Sequence, residues 1–243
     1  MSELPLVFVH GGAHGAWCWE PTLAHVTGPA LAVDLPPTSV RGGSARHDPA
    51  PGIDDIHVAD WAEAVLAATD GAGFDRFVLV GHSLAGITLC ETARRAPARV
   101  AHLVFVSAVV PPEGKNVIDA MPPDILERVA GGMEAAFVDM FCSDLDAEQT
   151  RFVLDHVGGE VMNVMVDPVT RAGMPAEIPK TYVRLGRDHA LPPAAQDASI
   201  AALAAVPGGT VDVVEIDSGH SVMISRPAEL AAVVGKISRQ WAR

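Results

Sequence analysis

Six short apolar runs constrain the fold of this chain more than any other feature. They are Leu6–Val9, Ala30–Val33, Phe77–Val80, Leu103–Ser107, Thr181–Leu185 and Val211–Ile216, rich in β-branched residues and closed by Gly, Pro, Asp or Ser. Between the runs lie stretches with helical spacing: Trp19–Val26, Ile56–Thr69, Leu84–Arg95, Ala194–Ala204 and Ala228–Trp241, the last entered through Pro227 at a first helical position. Strand followed by helix, repeated, predicts an α/β fold: a mostly parallel central sheet of about six strands with helices on both faces.

The alternation breaks once, between Pro111 and Pro179, where 124–130, 133–141 and 146–156 read as helices with no strand among them. This predicts a core formed by residues 1–110 and 179–243, and a helical cap inserted at 111–178. Pro36–Gly52, crowded with Pro, Gly, Ser and Arg, reads as a surface loop. With 243 residues, 49% of them hydrophobic, the chain can bury one large core. Thirty acidic residues against 17 Lys and Arg give a formal charge of −13, without a basic cluster to follow a phosphate backbone, so nucleic acid and anionic membranes are not expected partners. Cys18, Cys90 and Cys142 are an odd, widely spaced set that suggests neither a disulfide framework nor a thiolate metal site. Without a basic-then-apolar leader or a run long enough to span a bilayer, a cytoplasmic protein is expected.

The third apolar run leads into Gly81-His82-Ser83-Leu84-Ala85-Gly86. This departs by one place from G-x-S-x-G, since Ala85 stands where the second glycine is usual, but the residues remain small. A strand that turns abruptly into a helix strains its turning residue and holds the hydroxyl of that residue above the sheet edge. Burial does not call for a serine there; chemistry does. A serine hydroxyl needs a base to become a nucleophile, and the base needs an acid to orient it. On such a sheet the acid and the histidine follow in that order, each in the loop after a strand. Asp188 lies three residues beyond Leu185, and His220 lies four beyond Ile216. Asp217 and Glu113 are the alternative acids, the first too near His220 in sequence and the second already past two prolines. The turn His10-Gly11-Gly12 after the first strand offers backbone N–H groups at the same edge, and Gly12 with Leu84 would form an oxyanion hole. His10 and His14 do not read as a metal pair, because that spacing needs a helix and two glycines intervene.

These segments, together with His10-Gly11-Gly12-Ala13-His14-Gly15-Ala16-Trp17 and Gly219-His220, resemble the α/β-hydrolase superfamily. The branch holds plant methyl esterases of the salicylate-binding and polyneuridine-aldehyde types, hydroxynitrile lyases and bacterial carboxylesterases. The resemblance covers nearly the whole chain; the cap matches only in length and helical character. It implies Ser83 as nucleophile, Asp188 and His220 as partners, and Gly12 and Leu84 as oxyanion donors. The lyases carry Thr, Glu and Lys where this chain has Gly11, His82 and Ser221; without the lysine, hydrolysis is favoured over cyanide release.

The expectation is a cofactor-free carboxylic ester hydrolase acting on small to medium, largely apolar esters through an acyl enzyme. A lactonase, thioesterase or perhydrolase would use the same triad, and a ligand-binding receptor with vestigial hydrolase activity is the rival from another class. No metal is expected; a small-molecule ester is the expected partner, with a homodimer left open. Phe137, Met140 and Phe141 are the first candidates to line the pocket, followed by Met133, Met162 and Met165, while Trp17 and Trp19 could approach its entrance.

Overall fold

The computed structural model describes residues 3–36, 55–121, 125, 133–158, 161–206 and 209–241, without the side chains of 133–135. The expected loop at 36–52 and helix at 124–130 lie almost wholly outside these residues. Six strands, β1 (Leu6–Val9), β2 (Ala30–Val33), β3 (Phe77–His82), β4 (Val100–Val106), β5 (Lys180–Leu185) and β6 (Val211–Ile216), form one sheet in the order β2-β1-β3-β4-β5-β6. Every pairing is parallel. β4 begins three residues earlier than its apolar pattern suggests. The polar residue in that extension, His102, is accommodated because its Nε2 pairs with Thr181 Oγ1 of β5 at 2.9 Å.

A 3-10 turn (Ala16–Trp19) runs into α1 (Glu20–Leu23), where the sequence suggested one longer helix. Four further helices match that reading closely: α2 (Val58–Gly71), α3 (Ala85–Arg95), α8 (Pro193–Ala204) and α10 (Pro227–Gln240). The β4–β5 segment carries α4 (Val117–Ala120), α5 (Met133–Phe141), α6 (Ala147–His156) and α7 (Met162–Val166), and α9 (Val222–Ser225) precedes α10. α4, α7 and α9 were not foreseen, because four or five residues cannot display a 3.6-residue period. Asp146 caps α6 in a reciprocal box with Gln149.

Strand pleating sorts the core into two layers. Val7, Val9, Phe77, Leu79, Leu103 and Phe105 pack with α2, α3 and α8 on one face, while Leu6, Phe8, Val78, Val80, Val104 and Val106 pack with Trp19 and α10 on the other. Each fully buried side chain of this size contributes about 1.5–3 kcal/mol, so the sheet is a stiff platform. Cys18, Cys90 and Cys142 are buried and free. Among the described residues no helix is long and apolar enough to cross a membrane. Because all strands run the same way, the residues following β1, β3, β4, β5 and β6 emerge side by side at one edge of the sheet.

Candidate active site

Ser83 lies between the end of β3 and the start of α3, with φ of +55°, in the left-handed region. Holding a non-glycine residue there costs on the order of 1–3 kcal/mol. Three backbone bonds hold the elbow. Ser83 N–H donates to Val106 O (3.1 Å), and its carbonyl accepts from Gly86 N (3.1 Å) and Val109 N (2.9 Å). Ala85 is tolerated in place of glycine because Gly81 has no side chain: a Cβ there would stand 3.1 Å from that of Ala85 and 2.3 Å from Leu89 Cδ1.

Asp188 and His220 meet as expected. Asp188 Oδ2 accepts from His220 Nδ1 (2.6 Å) and Ser107 Oγ (2.6 Å), and Oδ1 accepts from the N–H groups of Ala190 and Leu191 (both 2.8 Å). The acid is 2% exposed, so four donors compensate its loss of water. The turn that carries it is clasped by buried Gln196 of α8, whose amide bonds Leu185 N, Leu185 O and Leu191 O at 2.8–2.9 Å. The alternative acids are elsewhere: exposed Asp217 pairs with Arg187, and Glu113 bonds Thr170 and Arg171.

Since the carboxylate can only accept, His220 carries its proton on Nδ1 and turns a lone pair outward at Nε2. Among the described residues that atom is buried without a hydrogen-bond partner. The link from Ser83 to the imidazole is therefore not closed in this conformation. What brings the two loops together is His82, whose Nε2–H donates to the carbonyl of His220 at 2.9 Å while the rings lie 4.4 Å apart. Burial pushes the pKa of His82 well below the usual histidine value, so it serves here as a neutral donor. The sequence drew attention to position 82 as the place where lyases carry Glu, but its bond to His220 spans 138 residues and was not legible. Ser107, at φ +39°, was likewise noticed only as a strand end.

The His10–Gly15 turn lies against the elbow. A Cβ on Gly11 would come within 2.8 Å of Ser83 Cβ and 3.0 Å of the His82 carbonyl, so this glycine answers a close approach rather than backbone shape alone. His10 Nε2 accepts from Leu35 N (3.1 Å), which fixes its proton on Nδ1, donated to Gly11 O (2.8 Å). His14 donates Nδ1–H to Gly12 O at 2.7 Å, and burial lowers its pKa to about 4. Among the described residues, neither the N–H of Gly12 nor that of Leu84 has an acceptor.

Aromatic side chains of α5 and α6 face this edge. The rings of Phe137 and Phe141 stack at 4.5 Å; Phe141 stands edge-on to His220 at 5.0 Å and tilted to His14 at 5.8 Å. Met140 is 4% exposed in a small cluster with Ile125 and Ala190, against which Phe141 also packs. Met162 is 62% exposed, Met165 packs on the core, and the side chain of Met133 lies outside those described. Trp17 meets Phe152 and His156 of α6, whereas Trp19 is fully buried on Phe8 and has no part in an entrance.

The profile of the alpha/beta hydrolase family matches residues 6–233. The chain belongs to that family. This hydrolase is 28% identical over 245 residues to a carbendazim hydrolyzing esterase of Nocardioides sp., covering 93% of its own length and 96% of that protein. It is 27% identical over 274 residues to esterase PIR7B of Oryza sativa subsp. japonica, covering 99% and 97%. Among solved structures it shares its fold with a pyrethroid hydrolase from Sphingobium faniae JZ-2 (TM-score 0.80, 20% identity, 97% of each chain). An extracellular alpha/beta-hydrolase from a Paenibacillus species is similar to the same degree (TM-score 0.77, 20% identity, 97% of this chain and 99% of that one).

Proposed function

We propose that this hydrolase cleaves carboxylic esters of small to medium, largely apolar substrates, with Ser83, His220 and Asp188 as its triad. The observation that carries the reading is the buried Asp188–His220 bond at 2.6 Å, which leaves the Nε2 lone pair of His220 free beside the loop that presents Ser83. Catalytic hydrogen bonds are often long without substrate and tighten when it arrives, and in this reading the link from Ser83 to His220 closes in that way.

In the proposed reaction Ser83 Oγ bonds to the ester carbonyl carbon as its proton passes to His220 Nε2. The carbonyl oxygen takes the negative charge and receives hydrogen bonds from the N–H groups of Gly12 and Leu84. Donors of this kind are each worth roughly 3 kcal/mol in the transition state. The tetrahedral adduct collapses, the C–O bond to the alcohol breaks, and His220 gives its proton to the departing alkoxide. Water, deprotonated by His220, then releases the acid and restores Ser83. Asp188 stays ionised throughout and holds the imidazole. Position 221 is serine, so no ammonium is placed there to stabilise departing cyanide, which supports hydrolysis over lyase chemistry.

Residues 111–178 act as the cap in this reading, with Phe137 and Phe141 closing the acyl or alcohol pocket. The full-length similarity to proteins named esterases supports the substrate class. Turnover of p-nitrophenyl acetate by Ser83→Ala tests the assignment: loss of all but about 1% of the rate in a folded variant is expected, and retention of a tenth or more refutes the nucleophile.

A further inference from the structure

The loop carrying His220 is gripped by the cap on both sides of the histidine. On the N-terminal side Asp144, whose side chain is only 4% exposed, accepts at Oδ2 from Gly219 N (2.8 Å) and Ser218 Oγ (3.1 Å). On the C-terminal side Ser221 Oγ donates to the carbonyl of Phe141 at 2.6 Å. Further along, Gln149 Nε2 donates to Ile224 O at 3.1 Å.

Asp144 is a poor choice if stability alone is at stake. Among the described residues its Oδ1 is buried without a partner, and the nearest cation, Arg187 Nη2, stands 4.0 Å from Oδ2, too far for a hydrogen bond. A buried carboxylate left partly unsatisfied opposes folding. The same Oδ1 comes within 2.5 Å of where a Cβ on residue 219 would be, so carboxylate and glycine fit together as one unit directly before His220. Such an arrangement fixes a peptide plane, and with it the direction of the next side chain.

We propose that Asp144 is a positioning residue for His220, and that the cap, through Asp144 and the Phe141 carbonyl, sets the imidazole where it can take the proton of Ser83. This rests on the triad reading above. The cap is then part of the catalytic machinery and not merely a cover over the substrate.

The rate of covalent labelling by a fluorophosphonate, which needs Ser83 and His220 but no ester, is measured beside p-nitrophenyl acetate kinetics. Asp144→Ala is expected to slow labelling and kcat by about 10- to 100-fold, the size of effect that roughly 1 Å of misplacement produces, with KM changed less than twofold. Asp144→Asn keeps an oxygen for the Gly219 N–H and should return to within about threefold of the wild-type protein. Labelling by Asp144→Ala slowed less than threefold overturns the proposal, as does an Asn variant as slow as the Ala variant. Should Asp144→Ala fail to fold by circular dichroism, Ser221→Ala decides: a folded variant slowed threefold or more supports the cap's role, and one slowed less overturns it. A wild-type protein that labels rapidly but hydrolyses no ester would refute the esterase reading while leaving these comparisons able to judge Asp144.

Discussion

Replacing Asp188 with Asn tests the hydrogen-bond logic of the site more severely than removing the side chain. Its Oδ1 accepts from two backbone N–H groups, those of Ala190 and Leu191, which cannot reverse their roles. The asparagine oxygen must therefore occupy that place, and the NH2 group falls where Oδ2 now faces Ser107 and His220. The Ser107 hydroxyl can rotate to accept from it. The imidazole can do so only by giving up the proton on Nδ1 and carrying it on Nε2, which removes the lone pair that Ser83 requires. The wrong tautomer of a catalytic histidine lowers kcat by about 10⁴ in serine proteases, equal to about 5 kcal/mol. The same figure is expected here, read as the burst and steady-state rates of p-nitrophenol release, with KM little altered. Adding Ser107→Ala to Asp188→Asn should cost little more, since the serine no longer donates to a carboxylate. A folded Asp188→Asn protein within a hundredfold of the wild-type rate would refute the assigned orientation.

Ser107→Ala alone removes one charge-assisted bond of 2.6 Å from Asp188; about 1.5–3 kcal/mol is at stake, so kcat should fall roughly 10- to 100-fold, and stopped-flow turnover at saturating ester would show it. Gly86→Ala would place a Cβ 2.2 Å from the Val109 carbonyl, an overpacking expected to destabilise by about 1–3 kcal/mol and to lower Tm by several degrees in a calorimetric scan. Burial lowers the pKa of His102 to about 4, so the folded protein refuses a proton that the unfolded chain accepts below about 6.5. Stability should accordingly fall as pH drops from about 6.5 toward 4, by up to about 3 kcal/mol from this residue. Urea titrations of the wild-type protein and His102→Gln across that window should show the smaller loss in the variant.

The legible parts of the site were those set by local chain geometry. Ser83, Asp188 and His220 each follow a strand by a few residues, and a parallel sheet delivers such loops to one edge whatever the intervening sequence. Phe137, Met140 and Phe141 were suggested by residue type, a signal that says nothing of which neighbours each side chain meets: Met140 packs with Ile125 and Ala190, and Phe141 lies against that same cluster.

What the sequence by itself determined was the parallel sheet, the strained serine elbow and the placing of Ser83, Asp188 and His220 in loops that follow strands, because apolar periodicity and turn chemistry act between neighbours along the chain. Only the tertiary structure decided which polar groups hold those three in place. His82 on the His220 carbonyl, Ser107 on Asp188, and Asp144 on Gly219 are bonds across 75 to 138 residues. Their partners are chosen by how helices and loops pack over the sheet edge, and a lone histidine, serine or aspartate carries no periodic signal that announces such a choice.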